Sequence, residues 1–352
     1  MNIEELLHRE DYTHDDIVQL LNLSKEDEIQ NLYKRADEVR KNYCGDEVHL
    51  RAVIEISNYC SQNCLYCRNR EDNFSIKRYR LATAEIIELS KQISNLGIYT
   101  IILQSGLDSY FDTDMIAYLI YSIKQNANIA VTLSLGERRY DEYRAWKIAG
   151  ADRYILKYTT SNPKHYELYH KNKSLSDRLN HLKFLKGLGF QVASGNIIGL
   201  PFQTMDDIAN DILLAKEIDF DSAIFSPFIP SPFTPFQNKR GVDIDLTLKT
   251  IAVARIVLRN MHIPAPSSLC KIDTHGRIKG LESGANVVTP DFTPQMYKAP
   301  FTPNKLKKTE LRDSSLIKSN LSLQIESIGR KIADNKGDSF KNQIDLNRYS
   351  YR

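Results

Sequence analysis

The stretch Arg51-Ala52-Val53-Ile54-Glu55-Ile56-Ser57-Asn58-Tyr59-Cys60-Ser61-Gln62-Asn63-Cys64-Leu65-Tyr66-Cys67 runs from an apolar strand pattern straight into a polar loop with three cysteines. Three thiolates can hold three irons of a 4Fe–4S cluster and leave the fourth iron open to an exogenous ligand. A fourth cysteine would close the cluster for electron transfer, so its absence is informative. Simpler uses of the three thiols fit less well. A disulfide leaves an odd cysteine over, and the N-terminus Met1-Asn2-Ile3-Glu4-Glu5 carries acids where a secretory leader carries Lys or Arg. A structural zinc site usually shows a second paired element, and none follows. Core cysteines would not share a loop with Ser61, Gln62 and Asn63. Cys44 and Cys270 lack any partner pattern and read as small buried hydrophobes.

Outward from this loop, short β-branched runs alternate with longer helical patterns. Residues 52–57, 99–104, 129–134, 153–158, 190–198, 222–226, 263–267 and 286–289 read as strands. Between them, one helix starts from Thr83 as N-cap and stops at Gly97, another follows Ser176 toward Gly189, and a third starts at Thr204 with acids in its first turn. Eight strand–helix units with nearly continuous apolar strands predict an α/β fold, a TIM-type (β/α)8 barrel over residues 46–300. Such barrels keep their active sites at the C-terminal ends of the strands, and the three cysteines follow the first strand there.

Residues 1–45 read as an N-terminal helical extension, with Ser24 and Asp27 as the expected cap of its second helix. Residues 301–352 read as a C-terminal tail, rich in Lys305, Lys307, Lys308, Arg312 and Lys318, with one packing helix over Leu321 to Ile332 and the rest solvated. The 47 basic and 44 acidic residues leave a net charge of +3, which predicts neither a nucleic-acid nor a membrane partner. No apolar stretch approaches membrane-spanning length, so the expected location is the cytoplasm, whose reducing conditions suit thiolate ligands. Arg68, Arg70, Lys77, Arg78 and Arg80 could offset the charge of a cluster or form a solvated face.

The spacing Cys60-x-x-x-Cys64-x-Tyr66-Cys67 resembles the signature of radical S-adenosylmethionine (SAM) enzymes. In that family the amino and carboxylate groups of SAM chelate the open iron, and reductive cleavage gives a 5′-deoxyadenosyl radical. Further segments resemble one group within it, that of the FeFe-hydrogenase maturase HydE, biotin synthase and methylornithine synthase. They include Lys77-Arg78-Tyr79-Arg80-Leu81, Ile101-Ile102-Leu103-Gln104-Ser105-Gly106, Ala130 to Glu137, Ala149 to Tyr154, Ile198-Gly199-Leu200-Pro201 and Ser283-Gly284-Ala285-Asn286-Val287.

The resemblance implies a closed barrel with a 4Fe–4S cluster on Cys60, Cys64 and Cys67. It implies a SAM site at Tyr66, Ser105, Gly106, Asp108, Ser134, Thr159 and Arg178, with Arg178 gripping the SAM carboxylate. Tyr66 faces adenine or merely packs its loop. Thr132, Ser267, Ser268 and Tyr297 are the expected lining of a substrate cavity. The implied partners are a small-molecule substrate and an electron donor such as flavodoxin or ferredoxin. Two acids of the HydE pattern are replaced here by Leu107 and Thr159, and a glycine by Phe202. Either Asp108 next door offsets the loss of the first, or the change reports a different substrate. Three functions follow: a HydE-like maturase acting on an iron carbonyl–cyanide precursor, a paralogue acting on a small amino-acid-like substrate, or an iron–sulfur carrier without catalysis.

Overall fold

The computed structural model describes residues 3–298 and 314–341. Three helices come first: α1 (Ile3–Leu7), α2 (His14–Leu21) and α3 (Glu26–Cys44). Thr13 caps α2 reciprocally, its hydroxyl accepting from the Asp16 N–H and its own N–H donating to the Asp16 carboxylate. The cap expected at Ser24 does not form. Lys25 precedes α3 and makes no side-chain cap bond.

The chain continues through β1 (Glu47–Leu50), β2 (Ala52–Glu55), α4 (Thr83–Asn95), β3 (Thr100–Gln104), α5 (Thr113–Asn126), β4 (Ala130–Ser134), α6 (Tyr140–Ile148) and β5 (Arg153–Ile155). It goes on with α7 (Pro163–Tyr169), α8 (Leu175–Gly187), β6 (Gln191–Ile198), α9 (Met205–Ile218), β7 (Ser222–Pro227) and α10 (Ile244–Leu258). Next come β8 (Pro264–Ala265), α11 (Leu269–Ile272), α12 (Gly276–Glu282) and β9 (Val287–Val288), and later α13 (Ser314–Glu326) and β10 (Lys331–Ile332). Thr204 holds α9 with Asp207 in a reciprocal pair and Ser174 caps α8, whereas Thr83, the expected cap of α4, lies inside that helix.

Strands β2 to β7 pair in parallel in sequence order, and β10, β1, β9 and β8 form a second parallel sheet. Backbone bonds join the two sheets at both seams. On one side Ala223 N–H donates to the His262 carbonyl (2.9 Å) and His262 N–H to that of Asp221 (3.0 Å). On the other, Arg51 N–H donates to Val288 (2.9 Å), Val53 N–H to Pro290 (2.8 Å) and Phe292 N–H to Val53 (2.8 Å). The eight expected strands therefore close into a ring. The last two hold only two residues each, because Pro264, Pro266 and Pro290 have no N–H to extend a ladder. The first strand starts earlier than expected, since β1 pairs with both β9 and β10.

The C-terminal segment differs most from expectation. The helix ends at Glu326, short of the expected Ile332, and a turn at Gly329 (φ 70°) feeds β10 into the sheet beside β1. Residues 336–340 then cross the N-terminal end of the barrel rather than lying in solvent. Arg153, at the start of β5, donates through Nη2 to the carbonyls of Lys336 (2.8 Å) and Gly337 (3.1 Å) and to Asp338 Oδ1 (2.6 Å). Gly337 lies flat on His49, where an added Cβ would stand 2.7 Å from Nδ1, and the Phe340 ring packs 4.5 Å from His262. Burial pushes His49 down to about 3 and His262 well below its ordinary value, so both rings are neutral beside Arg51 and Arg153. Lys318 donates to the Leu96 carbonyl (2.6 Å), while Lys305, Lys307, Lys308 and Arg312 lie outside the described residues. No described helix is long and apolar enough to cross a membrane.

Arg153 is the main tie between barrel floor and C-terminal segment. Substituting Arg153→Met should cost about 2 kcal/mol in urea unfolding, the scale of lost hydrogen bonds to a charged group. Limited proteolysis of the native protein should then cut within residues 330–341, sites that stay protected in the unsubstituted chain.

Candidate functional site

A cavity of about 580 Å³ opens at the C-terminal ends of the strands. Cys60, Cys64, Tyr66 and Cys67 line it, on the loop that leaves β2. This loop is fixed from several sides. Arg78 donates to the carbonyls of Asn58, Asn69 (2.9 Å), Arg70 (2.6 Å) and Asn73 (3.2 Å), so it staples the loop and is no solvated charge. Leu65 N–H donates to the Tyr169 carbonyl (3.0 Å), and Leu65 packs with Tyr169, Leu200, Phe228 and Phe236. Ser61 N–H reaches the Leu107 carbonyl (3.0 Å) in the loop after β3.

At that junction Gly106 touches Cys60 so closely that a Cβ at 106 would stand 2.4 Å from the Cys60 Cβ and 2.6 Å from the Tyr59 carbonyl oxygen. Only glycine fits. The approach lets the N–H groups of Gln62 and Leu107 both point at Cys60 Sγ, each at 3.4 Å. Burial pushes the Cys64 thiol up to about 12 and Cys67 up to about 11. Binding a metal at these two sulfurs would therefore release their protons. Among the described residues, no three His, Cys, Asp or Glu side chains are grouped as ligands of a single ion. Three sulfurs on one walled loop, without a fourth, suit an open 4Fe–4S cluster.

Tyr66 is locked in place. The His170 Nδ1 lies 3.0 Å from the Tyr166 carbonyl and must donate there, so Nε2 accepts from the Tyr66 hydroxyl at 2.8 Å. Burial brings His170 down to about 4, which keeps the ring neutral. Thr159 lies behind this pair. It is buried at φ 70°, its backbone pairs with Gly195 and Ile197, and its hydroxyl is 3.4 Å from both Tyr66 and His170. It does not line the cavity, contrary to expectation.

The expected role of Asp108 also fails. Its carboxylate is buried against Arg80 (2.8 and 2.9 Å) and Ser57 (2.6 Å) and faces away from the cavity lining. Ser105, Gly106, Ser134, Arg178, Ser267 and Ser268 do line the cavity. The Ser105 hydroxyl is spent on the Gly106 carbonyl (2.7 Å). Thr132 lies two residues below Ser134 on the same inward side of β4, deeper than the lining, with no partner for its hydroxyl. Tyr297 is a correction too. It donates to Glu85 on α4 (2.9 Å) and packs on Tyr79, outside the cavity wall.

Several lining residues had no role in the sequence reading. Glu137 pairs with Arg178 (2.6 Å) and Lys173 (2.9 Å). Burial alone would raise the Glu137 carboxyl, but the two cations bring it down to about 2. Deeper, Lys157 has the Ser226 hydroxyl at 2.7 Å and no carboxylate partner among the described residues, and burial pushes it down to about 8. Glu55 accepts from Tyr79 (2.7 Å) and Asn69 (2.9 Å), and it lines the cavity together with Asp291. A lysine ending an apolar strand and an acid inside one were the available signals. A larger cleft of about 840 Å³ between α3, α12 and residues 327–330 has no thiol, and its Arg40, Asp37 and Asp46 pair among themselves.

A family model described as the Radical SAM superfamily matches residues 54–215. The "[FeFe] hydrogenase maturase subunit HydE" of Thermotoga maritima is 42% identical over 331 residues, 94% of each chain. The 3-methylornithine synthase of Methanosarcina acetivorans is 29% identical over 89% of each chain. Among solved structures, methylornithine synthase (PylB) superposes with a TM-score of 0.83 at 26% identity, covering 94% of this chain and 97% of the other.

The contact at Gly106 predicts a sharp effect. Gly106→Ala should leave the fold intact by circular dichroism yet reduce iron bound per chain after anaerobic reconstitution to a small fraction of the unsubstituted value. Full iron loading in that variant would show that the two loops can part without harm to the site.

Proposed function

Since the chain belongs to the radical SAM superfamily, in the group of HydE, methylornithine synthase and biotin synthase, we propose that it is a HydE-like maturase of FeFe-hydrogenase. It is a radical SAM enzyme that uses a 4Fe–4S cluster and SAM. The reading that goes further is carried by one observation: 42% identity to the Thermotoga maritima maturase, spread over 94% of both chains.

The residues divide the work by depth in the cavity. Cys60, Cys64 and Cys67 would hold the cluster, with Gly106 allowing the close fit. Bound there, a 4Fe–4S cluster would supply the electron for the reductive cleavage of SAM. Arg178 would take the SAM carboxylate. Tyr66, held by neutral His170, would offer a fixed ring beside the nucleoside. Ser134 and the backbone of Ser105 and Gly106 would line the path between cluster and substrate. The substrate would occupy the deeper part, with Lys157 and Ser226 on one wall and Ser267 and Ser268 on another. A buried lysine without a carboxylate partner selects a substrate with an anionic group. The electron donor would be a small carrier such as flavodoxin or ferredoxin.

A second reading, a carbon-skeleton mutase of the methylornithine type, draws on the fold match to PylB and on Leu107 and Thr159, which replace acids of the HydE pattern. The two readings are separated by supplying this protein in a cell-free maturation of apo-hydrogenase that lacks only HydE. Hydrogen evolution is the expected result. No activation, together with 5′-deoxyadenosine formation stimulated by L-lysine, would move the chain to the second reading.

With dithionite and SAM, the reconstituted protein should form 5′-deoxyadenosine, and Cys64→Ala should abolish it. Cleavage unaffected by Cys64→Ala would remove that cysteine from the ligand set. Lys157 adds a pH signature. It is charged below about 8 and neutral above, so the KM for an anionic substrate should climb by about tenfold per pH unit beyond that point. Lys157→Met should abolish the climb while leaving substrate-free SAM cleavage intact.

A further inference from the structure

Two cations and one acid meet at the cavity rim where α8 begins. Arg178 stands in the first turns of that helix, behind the Ser174 cap, and its guanidinium is largely committed to protein. Nε donates to Glu137 Oε1 (2.6 Å) and Nη1 to the Lys157 carbonyl, which leaves only Nη2 without a described partner. One nitrogen cannot grip both oxygens of a carboxylate as an arginine fork does. A second donor is needed.

Lys173 is placed to supply it. Its Nζ is 2.9 Å from Glu137 Oε2, so two of its three N–H bonds have no partner among the described residues, and it lines the same cavity as Arg178. The local sequence His170-Lys171-Asn172-Lys173-Ser174 explains its direction. Asn172 adopts a left-handed conformation (φ 60°), which asparagine tolerates, and Lys173 N–H closes back on the His170 carbonyl (3.1 Å). The turn leaves Lys171 exposed and brings Lys173 inward. The charges agree with this. Glu137 carries one negative charge against two positive ones, so the rim keeps one excess positive charge for one incoming carboxylate. Two cations also repel an ammonium, which fixes the orientation of an amino acid end.

We propose that Lys173 is a second binding cation for the SAM carboxylate and that Glu137 is the positioning residue that aims Lys173 and Arg178 at it. The inference rests on the reading of Arg178 as the carboxylate-binding group of SAM.

The test is equilibrium binding of SAM and of decarboxylated SAM to the reconstituted full-length protein, with cluster content matched between variants. Lys173→Met should weaken SAM by about tenfold, the loss of one charge-assisted contact, and leave decarboxylated SAM unchanged. Lys173→Arg should restore most of the loss. Glu137→Gln should weaken SAM at least as much, again sparing the decarboxylated ligand. Unchanged SAM binding in Lys173→Met, or equal losses for both ligands, would overturn the proposal. Arg178→Met separates the two layers. If it weakens SAM selectively while Lys173→Met does not, only the inference about Lys173 falls. If it leaves SAM binding unchanged, the reading of Arg178 falls with it.

Discussion

The site depends on how closely two loops approach one another. The turn after β3 reaches the cysteine loop only because residue 106 has no Cβ, and any side chain there would collide with Cys60 and Tyr59. The same approach aims two backbone N–H groups at Cys60 Sγ and ties Ser61 to Leu107. Without it the loop would lose its wall, and three thiols on a free loop would not share a fixed geometry. Arg78 secures the other flank by donating to four carbonyl acceptors of a half-buried turn.

Charge is layered along the cavity. The rim holds Glu137 between two cations, and the depth holds Lys157 without a carboxylate beside it. At an effective dielectric near 20, a pair of charges about 4 Å apart interacts by about 4 kcal/mol. That is enough for Arg178 and Lys173 to outweigh the burial that would otherwise raise the Glu137 carboxyl. Lys157 has no such compensation, so burial alone lowers it and an anionic ligand would recover the lost charge. Where the HydE pattern has two more acids, this chain has Leu107 against Gly136 and Thr159 behind Tyr66. Asp108 does not take their place, because Arg80 and Ser57 hold it.

The opposite end of the barrel is sealed by the chain's own C-terminal segment. Residues 336–340 cross the strand starts over Arg153, His49 and His262, and the two histidines stay neutral beneath them. That segment and the cysteine-lined cavity thus lie at opposite ends of the barrel. Covering the floor with a distant segment rather than a local loop ties the stability of the barrel to residues far along the chain.

The eight strands, the helices between them and the three-cysteine loop were legible in the sequence, because hydrophobic period and the spacing of like ligands are local properties. Cys60, Cys64, Cys67, Gly106, Ser134 and Arg178 all reach the cavity expected from their order along the barrel. Only the tertiary structure decided the rest. Asp108 and Thr159 were drawn away by partners far along the chain, Tyr297 by Glu85, and the tail by Arg153. Glu137, Lys157 and Lys173 became a charge layer through contacts between residues far apart in the chain: Glu137 with Lys173 and Arg178, and Lys157 with Ser226. Periodicity records which face of an element is buried, and it carries no information on which distant side chain will meet it there.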